Sequence, residues 1–257
     1  VQEEVLITPR DVRKRGELQF QFADGYGLHC HVFLADSFEG EPGETDEALP
    51  LWIPITEIPY TEMWADDALW LPRMLAGYGF FARSTFDGDA MLEFDLALDD
   101  PAAPLFQRLA ELDIPVETHS HAPVFTVEQA QTARVRHDGV HIKNLFVRNK
   151  KGGMWLLVLP EDEPVDLKAL AAELGAGRLS FASAARLHQN LGVEPGSVTP
   201  FAALNDTRGA VTIAVSRAVL DADVVHCHPL TCDRTTAISG GDLERFLVST
   251  GHAPALL

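Results

Sequence analysis

Apolar and polar residues alternate over Leu18-Gln19-Phe20-Gln21-Phe22, and more loosely over His29-Cys30-His31-Val32-Phe33. That period of two marks strands with one buried face. Asp24-Gly25 and Gly27 supply turn material between them. The spacing lengthens over residues 66–75 and predicts a helix with Asp66 and Asp67 at its positive N-terminal end. Pro72 falls inside that pattern, so a kink or a place in the first turns is expected. Residues 1–100 therefore read as strands with one helix.

The pattern breaks at Leu98-Asp99-Asp100-Pro101-Ala102-Ala103-Pro104, and helical spacing follows at Leu105, Leu109 and Leu112. We place a domain boundary there, between 1–100 and 101–257. Residues 144–148 and 154–159 flank Lys150-Lys151-Gly152-Gly153, the signal of a hairpin. Residues 166–174 predict a helix on Leu167, Leu170 and Leu174, closed by Gly175. Residues 183–191 repeat that layout, closed by Gly192. Residues 211–215 and 224–228 read as strands. Ser239-Gly240-Gly241-Asp242 resembles a capping box ahead of Leu243, Phe246 and Leu247. No internal repeat interrupts this alternation.

Charge sharpens the boundary. The net charge is −18 over 257 residues. Residues 1–100 carry 6 Lys/Arg against 21 Asp/Glu, and residues 101–257 carry 14 against 17. The first part repels a nucleic-acid backbone, and the second tolerates one locally. Hydrophobic residues make up 46%, enough for a packed core. No apolar run approaches the roughly 18 residues of a membrane span, so no membrane partner is expected. Val1-Gln2-Glu3-Glu4 lacks the basic-then-apolar order of a signal peptide. Cys30, Cys227 and Cys232 are an odd count, which points to a reducing cytoplasmic setting.

The densest basic stretch is Arg134, Arg136, Lys143, Arg148, Lys150 and Lys151, opposed by Asp138. It reads equally as a solvated hairpin face and as a receiver of phosphates. His119-Ser120-His121 and His226-Cys227-His228, with Cys232 nearby, invite a metal reading. The spacings of zinc motifs are missing, so hydrogen-bonding or pocket histidines are expected instead. On a strand, His226 and His228 share a face. No serine elbow or phosphate-binding glycine loop is present.

Several runs, taken together and in order, resemble the YbaK/prolyl-tRNA-synthetase-associated editing domains. They are His121-Ala122-Pro123-Val124-Phe125, Lys143-Asn144-Leu145-Phe146 and Arg178-Leu179-Ser180-Phe181-Ala182. Gly192 through Pro200, Asn205-Asp206-Thr207, His228-Pro229-Leu230 and the closing Phe246 through His252 continue the series. The resemblance covers 102–257. It implies an aminoacyl-tRNA deacylase, an ester hydrolase working without a cofactor on the aminoacylated 3′ end of tRNA. Pro195-Gly196-Ser197-Val198-Thr199-Pro200 resembles the branch acting on alanyl-tRNA(Pro), with prolyl-tRNA synthetase a possible partner. Lys143, Gly196 and His228 match the family's catalytic positions. Lys143 would hold a phosphate or the carbonyl side of the ester, Gly196 would let backbone N–H groups approach, and His228 would line the aminoacyl cavity or orient water. Asn144 would bind the α-amino group. Ser197, Asn205, Asp206 and Pro229 complete the implied substrate-binding set. The substrate's own ribose hydroxyl helps activate the water in this family, so no Ser or Cys nucleophile is needed.

Residues 1–100 resemble the C-terminal part of a Nudix hydrolase of the oxidised-purine nucleoside triphosphatase type. Glu3-Glu4 looks like the end of a box whose tail reads R-E-x-x-E-E-x-G, with Leu6 standing where the family has glycine. Leu18 through Phe22, Glu44-Thr45-Asp46-Glu47 and residues 52–59 fit as well. Met63-Trp64-Ala65-Asp66-Asp67 looks like the base-reading element, Trp64 stacking on a purine and Asp66 and Asp67 bonding its edge. Glu4 would be a Mg²⁺ ligand if the box were complete, and Glu44 an accessory acid. Packing of Trp64 as core and capping by the two Asp is the competing reading. The chain starts with Val inside the box, so we expect either a longer natural protein or a remnant that scaffolds.

The expected fold class is α+β. A mixed, mostly antiparallel sheet wrapped by helices follows an incomplete Nudix-like α/β/α segment. The leading function is editing. Mg²⁺-dependent nucleotide pyrophosphohydrolysis is the alternative, and a tRNA-end or synthetase-binding module the third reading.

Overall fold

A computed structural model describes residues 1–124, 132 and 138–257, so Phe125, Arg134 and Arg136 lie outside the described residues. Backbone contacts divide the chain into Val1–Asp100 and Pro101–Leu257.

In the first unit, α1 (Gln2–Val5) and β1 (Thr8–Arg10) precede β2 (Arg13–Phe22), β3 (Gly27–Leu34) and β4 (Ser37–Glu39). Then come α2 (Asp67–Leu75), β5 (Gly79–Asp87) and β6 (Ala90–Asp99). β1 pairs with β4, and the other strands form a sheet in the order β3-β2-β5-β6. β2 runs antiparallel to β3 and parallel to β5. Alternation decides the faces. Leu18, Phe20, Cys30 and Val32 point to the core with Phe80 and Ala82, and α2 covers them with Trp70 and Met74. Trp70 stacks on Phe80 at 4.9 Å between centroids. Pro72 stays inside α2 at its sixth residue. The Ala68 carbonyl thus loses its helical donor, and Ala68 is exposed, so water can serve it.

The second unit begins with α3 (Ala103–Glu111), β7 (Glu117–Ser120), β8 (Val140–Asn149), β9 (Met154–Pro160), α4 (Leu167–Glu173) and β10 (Leu179–Phe181). It continues through α5 (Ala184–Leu191), β11 (Val211–Val215), α6 (Arg217–Leu220), β12 (Val225–Cys227), β13 (Arg234–Ile238), α7 (Gly240–Ser249) and β14 (Ala255–Leu256). The sheet order is β14-β11-β9-β8-β12-β13-β7, with β10 also on β8. Among the described residues four pairings are antiparallel and three parallel, so the sheet is mixed.

Both faces of this sheet are covered. Leu156 and Val158 of β9 enter a core with Leu105, Leu109, Leu191, Leu243, Phe246 and Leu247. Leu157 enters a second core with Val147, Ala171 and Leu179. Burial on both sides explains why residues 154–159 are continuously apolar rather than alternating. Side chains start the helices where the sequence suggests. Asp166 Oδ1 accepts from the Lys168 and Ala169 amides at 2.8 and 3.1 Å. Ser239 Oγ accepts from the Asp242 amide at 3.0 Å. Gly240 sits so close to α6 that a Cβ there would lie 2.2 Å from the Leu220 carbonyl oxygen. No helix among the described residues is long and apolar enough to cross a membrane.

Candidate functional site

The site begins as a break in the sheet. One edge of β8 pairs with β9 from Ile142 to Arg148. The other edge pairs with β12 only at Val140 and His141, and with β10 only from Val147 to Asn149. Between those partners the edge at Lys143–Asn144 carries no described strand. Exposed strand edges offer backbone and flanking side chains to a ligand.

Lys143 and Asn144 flank this gap from opposite faces, because successive strand residues alternate. Lys143 leaves on the face of Leu145 and Val147, and Asn144 on the face of Ile142 and Phe146. The Lys143 ammonium donates to the Glu161 carbonyl at 3.0 Å and to the Glu163 carbonyl. An ammonium has three hydrogens, so these two bonds fix the charge and leave one donor. Asn144 Nδ2 donates to the Val198 carbonyl at 2.9 Å. Its Oδ1 is buried without a hydrogen-bond partner among the described residues. A buried orphan acceptor is costly, and a ligand N–H relieves that cost.

The Val198 contact ties β8 to the loop that follows α5. There the Ser197 amide donates to the Glu194 carbonyl at 3.0 Å, closing a turn with Pro195 and Gly196 at its centre. Gly196 has φ 92°, as the second central residue of a type II turn requires. Ser197 is buried beside the Cys232 thiol. Backbone bonds draw two more segments together: the Val124 amide donates to the Cys232 carbonyl and the His121 amide to the Asp233 carbonyl, both at 2.9 Å.

His228 lies one residue beyond β12. This corrects the expectation of a strand over residues 224–228. Pro229 follows, and Leu230 adopts φ 67° while buried, so the chain turns sharply under strain here. His226 and His228 therefore do not chelate together. His226 Nε2 bonds the Asp138 carbonyl at 2.6 Å and its ring stacks on His141 at 4.4 Å. His228 Nδ1 bonds the Arg234 carbonyl at 2.9 Å. A carbonyl only accepts, so Nδ1 carries the hydrogen and Nε2 presents a lone pair. Burial pushes the His228 pKa below 6.5 against the pull of the Arg234 carbonyl, and His121 pushes it further down, so the ring is neutral at pH 7. His121, 6.2 Å away between centroids, is held through Nε2 by Thr235 Oγ1 at 2.9 Å.

Burial pushes the Cys232 thiol up to about 11, aided by the Asp233 charge, and burial raises Cys227 as well. Neither is a thiolate nucleophile at neutral pH. Asn205 and Asp206 serve the fold. Asn205 Nδ2 donates to the Leu191 carbonyl at 2.8 Å. Asp206 Oδ2 accepts from the Val211 amide at 2.7 Å and meets His252 Nε2 at 3.2 Å. Lys150 and Lys151 are exposed at the hairpin tip, whereas Lys143 is half-buried at the gap. The basic stretch thus divides between a solvated face and one positioned charge. Sequence reasoning noted Cys232 only beside the histidine pair; Thr231 and Asp233 went unnoticed, because only folding brings this loop to Ser197 and Val124.

In the first unit, Trp64 is 48% exposed and meets Phe86 edge-on at 5.1 Å. Asp66 is fully buried ahead of α2, beside the Ser84 hydroxyl and the Trp70 indole. Burial raises its pKa, and the charge of Asp67 adds to that. Burial also raises Asp67. These three residues do gather at one end of α2. Glu3, Glu4 and Glu44 are exposed. They form no three-ligand group among the described residues, so they do not fit Mg²⁺.

The family model described as the aminoacyl-tRNA editing domain matches residues 121–246. A prolyl-tRNA synthetase associated domain-containing protein 1 of Danio rerio is 37% identical over 178 residues, covering 68% of this chain and 94% of that protein. A prolyl-tRNA editing protein ProX of Acetoanaerobium sticklandii is 32% identical over 154 residues, covering 60% of this chain and 94% of that protein. The N-terminal part is similar to an oxidized purine nucleoside triphosphate hydrolase of Danio rerio, 42% identical over 96 residues. That match takes in 37% of this chain and 62% of the hydrolase. The matched residues run from His121 through the sheet gap, the Gly196 turn and His228 to Phe246, and with near full-length relatives on the same stretch the chain belongs to the aminoacyl-tRNA editing domain family.

Proposed function

We propose that this chain hydrolyses the ester of mischarged aminoacyl-tRNA, with alanyl-tRNA(Pro) as substrate. The observation that carries the reading is the open stretch of β8, where consecutive residues supply a fixed ammonium, Lys143, and a buried acceptor without a partner among the described residues, Asn144 Oδ1. Asn144 Oδ1 accepts from the substrate's α-ammonium. His228 Nε2 orients the attacking water through its lone pair. Water adds to the ester carbonyl, the bond to the ribose oxygen breaks, and that oxygen leaves with a proton. The products are the free amino acid and tRNA, and the raised thiols speak against a covalent cysteine intermediate. Relatives named for prolyl-tRNA editing and for association with prolyl-tRNA synthetase support tRNA(Pro) as the carrier.

The test is a deacylation panel of tRNA(Pro) charged with Ala, Ser, Cys and Pro, run with and without EDTA. Alanine should be released fastest, and chelation should leave the rate unchanged. No turnover of any of the four sinks the reading. The EDTA arm also separates editing from nucleotide pyrophosphohydrolysis, for which the first unit lacks a carboxylate cluster among its described residues.

A pH profile follows from His228. The ring is active when neutral, and its pKa lies below 6.5. The rate plateau should therefore persist below pH 6.5 and fall only under more acidic conditions. The unfolded chain takes up this proton first, so the same residue lowers stability progressively as pH drops below 6.5. His228→Gln should remove the acid limb. An unaltered limb in that variant means another group controls the profile.

A further inference from the structure

Glu17 of β2 lies directly opposite His31 of the edge strand β3, and His29 is two residues back on the same side. Their neighbours Leu18, Cys30 and Val32 turn into the core, so these three side chains share the opposite face of the sheet. Glu17 Oε2 lies 2.8 Å from His29 Nε2, and Glu17 Oε1 lies 3.8 Å from His31 Nδ1. One ligand atom from each of the three falls within 4.8 Å of the others, the only such group among the described residues. The two imidazoles face one another at 4.8 Å between centroids. We propose that Glu17, His29 and His31 form a binding site for a divalent transition metal of the zinc class.

Zinc takes imidazole nitrogen and carboxylate oxygen at about 2.0–2.2 Å, so tetrahedral ligands stand roughly 3.4 Å apart. The Glu17–His29 and Glu17–His31 spacings, 2.8 Å from Oε2 and 3.8 Å from Oε1, lie on either side of that value, and small rotations of the carboxylate and the half-exposed rings bring one oxygen and both nitrogens together. Two nitrogens and one oxygen suit zinc, copper or nickel and not calcium or magnesium. Three protein ligands leave one tetrahedral position for water or a small anion. Cross-strand placement also lets the ion clasp β3 to β2. The Lys14 ammonium bonds the same Glu17 carboxylate and competes with the metal for it. Lys14 therefore tunes the site. The site lies in the first unit and is independent of the editing reading.

The experiment is calorimetric titration of the full chain with Zn²⁺, repeated with Co²⁺ while following its visible d–d absorption. One saturable site is expected. Glu17→Gln, His29→Ala and His31→Ala should each weaken binding by at least about tenfold, since losing a direct ligand costs no less than losing an outer-shell partner. The same variants should abolish the cobalt band. Lys14→Met should tighten binding, and His119→Ala should leave it unchanged. All four first-unit side chains are partly or largely exposed, and thermal melts without metal should match the parent. Absence of saturable binding, or binding that survives Glu17→Gln and His31→Ala undiminished, overturns the proposal.

Discussion

Lys143→Ala is expected to lower deacylation of alanyl-tRNA(Pro) by at least about 100-fold, the cost of removing one preorganised donor at a developing charge. The side chain is set up for that role. Two bonds to the Glu161 and Glu163 carbonyls, in the segment that follows β9 on the paired edge of β8, fix the ammonium in place. One ammonium hydrogen remains for a substrate oxygen. The structural cost should be small, because Glu161 and Glu163 are only half-buried and water replaces the lost donor. A fall in kcat with unchanged KM assigns Lys143 to the ester carbonyl, and a rise in KM assigns it to a phosphate. Turnover at the parent rate refutes both roles.

The second large effect falls on stability. Asp206→Ala should cost about 3 kcal/mol, the scale of breaking a buried pair and stranding its partner. It removes the acceptor of the Val211 amide at the start of β11 and leaves His252 without its carboxylate. Both side chains are almost wholly inaccessible, at 4% for His252 and 1% for Asp206. For a unit of this size the midpoint of thermal unfolding should drop by roughly 6–12 °C. Burial pushes the Asp206 carboxyl up, but the Ala210 and Val211 amides and His252 outweigh it and hold the pKa below 3.8. This contribution is thus complete above pH 3.8 and lost as pH falls through the lower folded value. A calorimetric melt of Asp206→Ala checks the size, and a midpoint within 2 °C of the parent, well under the roughly 6–12 °C scale, shows the pair to be unimportant.

Asp206 also marks where motif reading stops. Asn205-Asp206-Thr207 resembles a family run, and the resemblance implied substrate binding. The structure buries Asp206 on Val211 and His252, while exposed Asn205 bonds the Leu191 carbonyl. A run can persist because it holds the scaffold as readily as because it touches the ligand. The His-x-His pair at His226 and His228 teaches the same point from the other direction. Spacing alone puts them on one face, but the strand ends at Cys227 and Leu230 turns the chain through a positive φ.

The amino-acid sequence by itself determined several local elements and helix starts, while β5, β6, β7 and β13 went unmarked. Periodicity marked the strands and helices, because burial on one face is a short-range pattern. Asp166, Ser183 and Ser239 marked helix starts, because a cap needs only the next three residues. Glu194-Pro195-Gly196-Ser197 spelled out its own turn, since proline and glycine restrict or release φ locally. Tertiary structure alone decided what meets across distance. It opened the β8 edge between β12 and β10 and so put Lys143 and Asn144 at a gap. It set the His228 tautomer through the Arg234 carbonyl and brought Cys232 to Ser197. It laid Glu17 across from His31, a pairing that depends on strand register and not on any motif. Short-range preferences are written in neighbouring residues, whereas strand order, register and the partners of buried polar groups exist only once the whole core has packed.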